Sequence, residues 1–370
     1  MVDLQGQYQR IKPEIDDAIQ SVLNSTEFIQ GTQVKQFEQA FSNFHDGAHV
    51  ISCGNGTDAL QIAMMALGFK PGDEVILPVF TYVATAEVIA LLRLRPVFVD
   101  VDERTFAIDV DQIENKITSK TVAIVPVHLF GQCAPMEPLL ALAKKRNLFL
   151  IEDFAQAVGS VYTLSGRISK KAGTLGTIGC TSFFPSKNLG CYGDGGAILT
   201  RDKTLADRIR MIANHGQRVK YHHDVIGVNS RLDTLQAAIL NVKLNHLNEY
   251  EQKRNAVAAY YDRNLTGISF LELPYRASYS THVFHQYTVR LKGIERESLR
   301  KFLESKSIPS MIYYPLPLHF QKAFQVQGVE AGAFPISEAL SRTVLSLPIH
   351  TEMSEEQLSY ICETIRMYPG

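Results

Sequence analysis

A single lysine, Lys187, stands in TSFFPSKNLGCYGDGGA (residues 181–197) between the aromatic pair Phe183-Phe184 and four glycines, Gly190, Gly193, Gly195 and Gly196. A solvated ammonium needs no such setting, whereas bare glycine backbone lets a bulky group approach an amine. Two other stretches hold complementary chemistry. LFLIEDFAQAVG (148–159) reads as an apolar strand ending in Glu152-Asp153, which carries a carboxylate to the strand's end. SCGNGTDALQIAMMAL (52–67) reads as a strand end, an Asn55-Gly56 turn and a helix opened by Thr57 and Asp58. The unpaired N–H groups of such a helix start can take a phosphate. Singly, each stretch has a plainer explanation: a glycine-rich turn, an aspartate capping a turn, a capped helix with nothing bound. Together, a phosphate cradle, a carboxylate and a lysine on one sheet edge are what pyridoxal phosphate requires. The amine would condense with the aldehyde, the carboxylate would keep the pyridine nitrogen protonated, and amides and hydroxyls would anchor the phosphate. Once released, the lysine would move a proton as general base and acid.

Positioning these groups is the task of the surrounding elements. From about residue 48, short apolar runs (HVISC, DEVILP, RPVFVDV, TVAIVPVHLF, LFLIEDF) alternate with amphipathic stretches such as TDALQIAMMAL, TAEVIALLRL and PMEPLLALAKK. This is the pattern of repeated β-α-β units, an α/β fold with a mostly parallel sheet covered on both faces. GCTSFFP and GAILT predict further strands, and LADRIRMIANHG a helix ending at Gly216. A long helical pattern runs from Leu232 toward Gly267 and bridges to a different mixture of elements: a strand in HQYTVRL, a helix in RESLRKFLES, a last helix in SEEQLSYICETIR. The expectation is a large domain over residues 1–245 and a smaller α+β domain, entered through the bridging helix, over 246–370.

Composition narrows the classes. In 370 residues, 37 basic and 38 acidic side chains leave a net charge of −1, so no general field attracts nucleic acid or a membrane surface. Cys53, Cys133, Cys180, Cys191 and Cys362 are odd in number and widely spaced, against a disulfide framework or zinc knuckle. The N-terminus lacks a signal-peptide core, and Glu87, Arg93 and Arg95 break the apolar stretches short of a membrane span, so a cytoplasmic protein is expected. No metal site is expected: His282 and His285, three apart in what reads as a strand, would face opposite ways, and His45 and His49 flank Gly47. His215, His222 and His223 lie in a polar loop, and His128 at the sheet's carboxyl edge has no assigned role.

Five motifs, GNGTDAL, PVFTYVATAEV, EDFAQAVG, FFPSKNLGCYGDGGA and GVNSRLDTLQAAIL, together resemble the DegT/StrS-type sugar aminotransferases over nearly the whole chain. The resemblance implies the aspartate aminotransferase fold (fold type I) and pyridoxal phosphate cycling through pyridoxamine phosphate, with L-glutamate as amino donor. It implies that Lys187 is the Schiff-base lysine and that Asp153 partners the pyridine nitrogen. Gln156 would lie near the ring oxygen; Gly56, Thr57 and Ser182 would hold the phosphate, and Tyr82 would stack on the ring. Asn229 would reach the phosphate of a neighbouring subunit's cofactor, giving a homodimer with composite sites, and Arg231 is a candidate for the substrate's anionic part. Lysine rather than histidine at 187 implies transamination rather than dehydration. The form G-D-G-G is similar to members that aminate a 3-keto nucleotide sugar, here a UDP-linked sugar acid of bacterial surface polysaccharides. Amination at carbon 4, a dTDP-linked 3-keto sugar and a non-catalytic regulatory protein are the alternatives. Tyr313-Tyr314-Pro315 stands where His-Tyr-Pro is expected, making Tyr313 and Tyr314 the candidate sugar contacts of the small domain.

Overall fold

Strands with no polar face need cover on both sides, and the computed structural model, which describes residues 1–328 and 330–369, provides it. The strands are β1 (His49–Cys53), β2 (Glu74–Pro78), β3 (Arg95–Val99), β4 (Thr121–Ile124), β5 (Phe149–Asp153), β6 (Val161–Thr163), β7 (Ser169–Lys171), β8 (Ile178–Ser182), β9 (Gly196–Thr200), β10 (Gln217–Val219), β11 (His222–His223), β12 (Leu271–Glu272), β13 (Tyr287–Leu291) and β14 (Val344–Leu347). Seven form the central sheet in the order β1-β9-β8-β5-β4-β2-β3. All are parallel except β9, which runs against both its neighbours.

Alternation along the strands splits the core into two layers. Val50, Ile76, Ile124 and Leu150 face the helices Thr32–Phe44, Met136–Arg146 and Thr234–Leu265. Ile51, Val75, Leu77 and Ile151 face the helices Gly56–Leu67, Ala84–Leu91 and Lys203–Ala213. The bridging helix Thr234–Leu265, 32 residues long, contributes Ala237, Leu240 and Leu247 to the first layer. Its later turns place Val257, Tyr261 and Leu265 in a separate core with the antiparallel sheet β12-β13-β14 and the helices Arg296–Ser305 and Glu355–Arg366. A small aromatic cluster, in which Phe80, Phe106 and Phe130 meet Leu340 and Val344, joins the two cores, with Tyr313 and Tyr314 packed against it.

Strand direction decides where chemistry can occur. The parallel strands all finish on one edge, so Gly54 to Thr57, Val79 to Tyr82, Asp153 and Ser182 gather there. Gly196, the first residue of β9, pairs with Cys53 and Ser182 at that same edge. The link 183–195 between β8 and β9 must therefore turn back on the edge, and it carries Lys187.

Three boundaries differ from the sequence reading. The helix expected to open at Thr57 and Asp58 begins at Gly56, because Asn55 is the cap, its side chain accepting from the Asp58 N–H at 2.8 Å. The helix expected to run to Gly216 ends at Ala213, with Asn214 as its C-cap. His282 and His285 are not strand residues: both are buried in the segment that leads into β13. Among the described residues no helix is long and apolar enough to cross a membrane.

Candidate active site

At this sheet edge a cleft of about 480 Å3 is lined by Gly56, Thr57, Tyr82, Asp153, Gln156, Ser182, Lys187, Tyr313 and Tyr314, nine of the eleven residues expected from the sequence. Each is set by local structure. Phe184, Pro185, Ser186 and Lys187 form a turn in which the Lys187 N–H donates to the Phe184 carbonyl at 2.8 Å, with proline at the position where its fixed φ is favoured. Gly190 lets the chain fold back on this turn, since a side chain there would strike the Pro185 carbonyl. Asn188 then ties the loop to the second core, its amide donating to the Val283 carbonyl at 2.9 Å.

Consecutive residues of β5 point to opposite faces of the sheet. Glu152 turns inward and accepts from the Gly173, Leu175 and Gly176 N–H groups and from His128 Nε2 at 2.9 Å. His128 Nδ1 accepts from the Ala134 N–H at 3.0 Å, so the ring's proton is on Nε2. His128 is thus a structural residue at Glu152's back rather than a wall of the cleft. Asp153 turns outward, only 8% exposed. Its Oδ2 accepts from the Thr85 hydroxyl at 2.8 Å and its Oδ1 from the Ala155 N–H at 3.2 Å. Burial pushes this carboxyl up from its ordinary value, while Thr85, Ala155, Lys187 and His128 pull it back. Burial likewise brings the Lys187 ammonium down from 10.5 to about 8, against the attraction of Asp153.

The walls are aromatic and amide. Tyr82 is 56% exposed at the mouth, its ring centroid 6.3 Å from that of Tyr314. Gln156 accepts from the Phe130 N–H at 2.8 Å and donates to the Tyr314 hydroxyl at 3.0 Å, which fixes its amide and joins the two cores across the cleft. Gly56 is needed where the helix start approaches β8: a Cβ there would lie 2.6 Å from that of Ser182.

Asn229 and Arg231 are not brought to this cleft in the same chain. In the extended stretch around them alternate residues face opposite ways, and the inward one is Ser230, which accepts from the Gly54 N–H at 2.9 Å and donates to Asp58 at 2.6 Å. Asn229 is exposed beside Asn214, and Arg231 lines a separate groove of about 900 Å3 with Lys35, Arg208, Arg210 and Arg218. His222 and His223 are exposed on the β10–β11 hairpin.

Sequence reasoning passed over Thr81, Thr85, Phe130 and Gln286, and weighed His285 only as a metal ligand. Thr85 lies in the quoted motif three residues after Tyr82, which was the available signal. His285 and Gln286 precede β13 and carried no motif.

The residues fit pyridoxal phosphate. The helix Gly56–Leu67 offers the cleft the Gly56 and Thr57 N–H groups, which have no intrahelical acceptor, next to the Ser182 hydroxyl. Thr81 Oγ1 and His285 Nδ1, both in lining residues, are buried without a partner among the described residues. A lysine of lowered pKa and a buried carboxylate share the space between. Fold and donor set are those of a fold type I pyridoxal phosphate enzyme.

The profile of the DegT/DnrJ/EryC1/StrS aminotransferase family matches residues 9–366, and the chain belongs to that family. It is 47% identical over 99% of its length (97% of the relative) to a "pleiotropic regulatory protein" of Geobacillus stearothermophilus. It is 46% identical over 98% (98% of the relative) to the UDP-2-acetamido-2-deoxy-3-oxo-D-glucuronate aminotransferase of Pseudomonas aeruginosa. A UDP-N-acetyl-3-dehydro-alpha-D-glucosamine 3-aminotransferase of Acidithiobacillus ferrooxidans is 44% identical over 99% of this chain and 96% of its own. The structure of S. venezuelae DesV in complex with a ketimine intermediate superposes with a TM-score of 0.94 at 38% identity, covering 99% of this chain and 96% of that one. NtdA of Bacillus subtilis, solved with bound PMP, gives 0.88 at 31% identity over 96% of this chain and 81% of its own. The protein is an aminotransferase of a pyridoxal phosphate family.

Proposed function

We propose that the protein transfers an amino group from L-glutamate to a UDP-linked 3-keto sugar, in the first place UDP-2-acetamido-2-deoxy-3-oxo-glucuronate, in the cytoplasm. The observation that carries transamination is the juxtaposition of Lys187 and Asp153 in one cleft at a helix start, and the relatives at 46% and 44% identity support the UDP-linked 3-keto sugar. Pyridoxal phosphate, when bound, supplies an electron sink and a carrier for the amino group. Gly56, Thr57 and Ser182 bind its phosphate. Asp153 would hold a proton at the pyridine nitrogen, and Tyr82 would stack on the ring and shield it from water. Lys187 Nζ is the attachment point; with a pKa of about 8 it can give up its proton near neutral pH, then take one from the donor's carbon and return one to the sugar's carbon.

A second copy of the chain would complete the site. Asn229 and Arg231 face away from their own cleft, and a homodimer that brings them to the neighbour's phosphate and to the sugar's anionic groups accounts for their outward direction. Mixing Lys187→Ala and Asn229→Ala chains tests this: only the mixed dimer contains one intact site, so activity absent from each alone should return. The boundary between large and small domains near residue 245 rests on the helix Thr234–Leu265 passing from one core to the other.

A regulatory reading has one observation in its favour, the name of the Geobacillus relative. Glutamate added to the yellow protein decides: bleaching, followed by return of colour with one member of a panel of UDP- and dTDP-keto sugars, with and without a carboxylate, supports the enzyme and names its substrate. A spectrum indifferent to glutamate rejects transamination.

A further inference from the structure

Asp153 has a problem of its own. A carboxyl only 8% exposed is driven toward the neutral acid, and a neutral acid cannot hold the proton of a pyridine nitrogen as a pyridinium's counter-charge. Lys187 on the 183–195 link and His128 after β4 favour the charged form through their charge, and hydrogen-bond donors favour it more strongly. Among the described residues two groups donate to the carboxylate: the Thr85 hydroxyl, fully buried, 2.8 Å from Oδ2, and the backbone N–H of Ala155, on Oδ1 at a longer 3.2 Å.

Thr85 sits in the first turn of the helix Ala84–Leu91, where threonine hydroxyls commonly serve the helix's own backbone. This helix has no side-chain cap, and its Thr85 hydroxyl instead reaches across the sheet edge to β5. A β-branched side chain is stiff about χ1, so the hydroxyl is aimed rather than merely available. Tyr82, three residues earlier and just before the helix, lines the cleft from its mouth.

We propose that Thr85 is a positioning residue for the cofactor: its hydroxyl orients the Asp153 carboxylate and keeps it ionised, so that the ring nitrogen is held protonated. The inference rests on the aminotransferase reading and goes beyond it by assigning a role to a residue outside the cleft wall.

The test uses apoprotein prepared from the full chain, titrated with pyridoxal phosphate and followed by fluorescence and visible absorption. Thr85→Val keeps the shape and removes the donor. Its affinity for the cofactor should fall about tenfold, the loss expected of one hydrogen bond to a charged group. The acid limb of cofactor retention should move about one pH unit upward, because a carboxyl without its donor protonates at higher pH. Thr85→Ser should restore both. In an Asp153→Asn background Thr85→Val should change neither, since the hydroxyl then has no carboxylate to hold. If Thr85→Val cannot be purified, Thr85→Cys, a weaker donor of similar size, should show the same shifts in smaller degree. Unchanged affinity and an unmoved acid limb, with or without a lower apoprotein melting temperature, reduce Thr85 to packing and overturn the proposal. So does a Thr85→Ser protein as defective as the valine variant. Failure of the unsubstituted protein to bind the cofactor removes the aminotransferase reading as well, whereas normal binding with an indifferent Thr85→Val removes this inference alone.

Discussion

The cleft beneath Tyr82 holds about 480 Å3 and the groove beside Arg231 about 900 Å3, yet the smaller space has the marks of chemistry. Its acid and its amine are both pushed toward neutrality by burial, and Gln156 and Asp153 are held from two directions. The groove is charged, and two of its arginines are answered by carboxylates, Arg210 by the partly buried Glu38 at 2.9 Å and Arg218 by the exposed Asp224 at 4.0 Å. An exposed pair such as Arg218–Asp224 is worth little, about 0–1 kcal/mol, because water screens it. Volume marks where a partner could sit; perturbed pKa values mark where protons could move.

The largest effect expected is that of Lys187→Ala, which removes both the attachment point and the proton carrier. Turnover should fall by at least the ~10²–10⁴-fold credited to a general acid–base, and the visible band of the lysine-linked cofactor should vanish from the absorption spectrum. A yellow, active Lys187→Ala protein would move the chemistry elsewhere. Gly56→Ala comes next. Its Cβ would press on Ser182, and overpacking of about 1–3 kcal/mol translates into roughly 5- to 150-fold weaker cofactor retention, read by dialysis and titration. Arg231→Ala tests the groove's side of the comparison. Loss of one charge-assisted contact predicts roughly a tenfold or larger rise in KM for the nucleotide sugar, with the glutamate half-reaction unaltered. If both half-reactions suffered equally, Arg231 would be serving the cofactor instead.

The smallest effect is a pH dependence. A lysine brought down to about 8 should capture pyridoxal phosphate at a rate that rises through pH 8 and then levels, rather than climbing toward 10.5. Asp153 holds that value up, so Asp153→Asn should shift the midpoint below 8. Stopped-flow absorption of the apoproteins across pH 6–11 reads both, and a midpoint near 10.5 would mean that burial does not govern the amine.

Asp153 and Lys187 were legible in the sequence because each lies in a short motif whose chemistry is visible in its residue types: an apolar strand closed by acids, an amine among glycines. The sheet was legible for a similar reason, as strands buried on both faces leave uninterrupted apolar runs. What was not legible depended on tertiary approach. Thr85 looks like any threonine opening a helix, and only the juxtaposition of its helix with β5 reveals its partner. His285 invited a strand assignment because the apolar pattern of β13 was extended backward across a buried but irregular segment. Asn229 and Arg231 were picked out by motif, but which way they face follows from Ser230 between them, whose two hydrogen bonds turn it inward.

The reversed strand β9 bears on how this enzyme could be altered. Both ends of the 183–195 link are fastened by ladder pairing to strands of the same sheet, Ser182 with Gly196 and Gly196 with Cys53. Extra residues inserted there would have nowhere to go except outward, carrying the amine away from its acid. The tip between β6 and β7, exposed and outside the central sheet, is where a tag or a grafted peptide belongs.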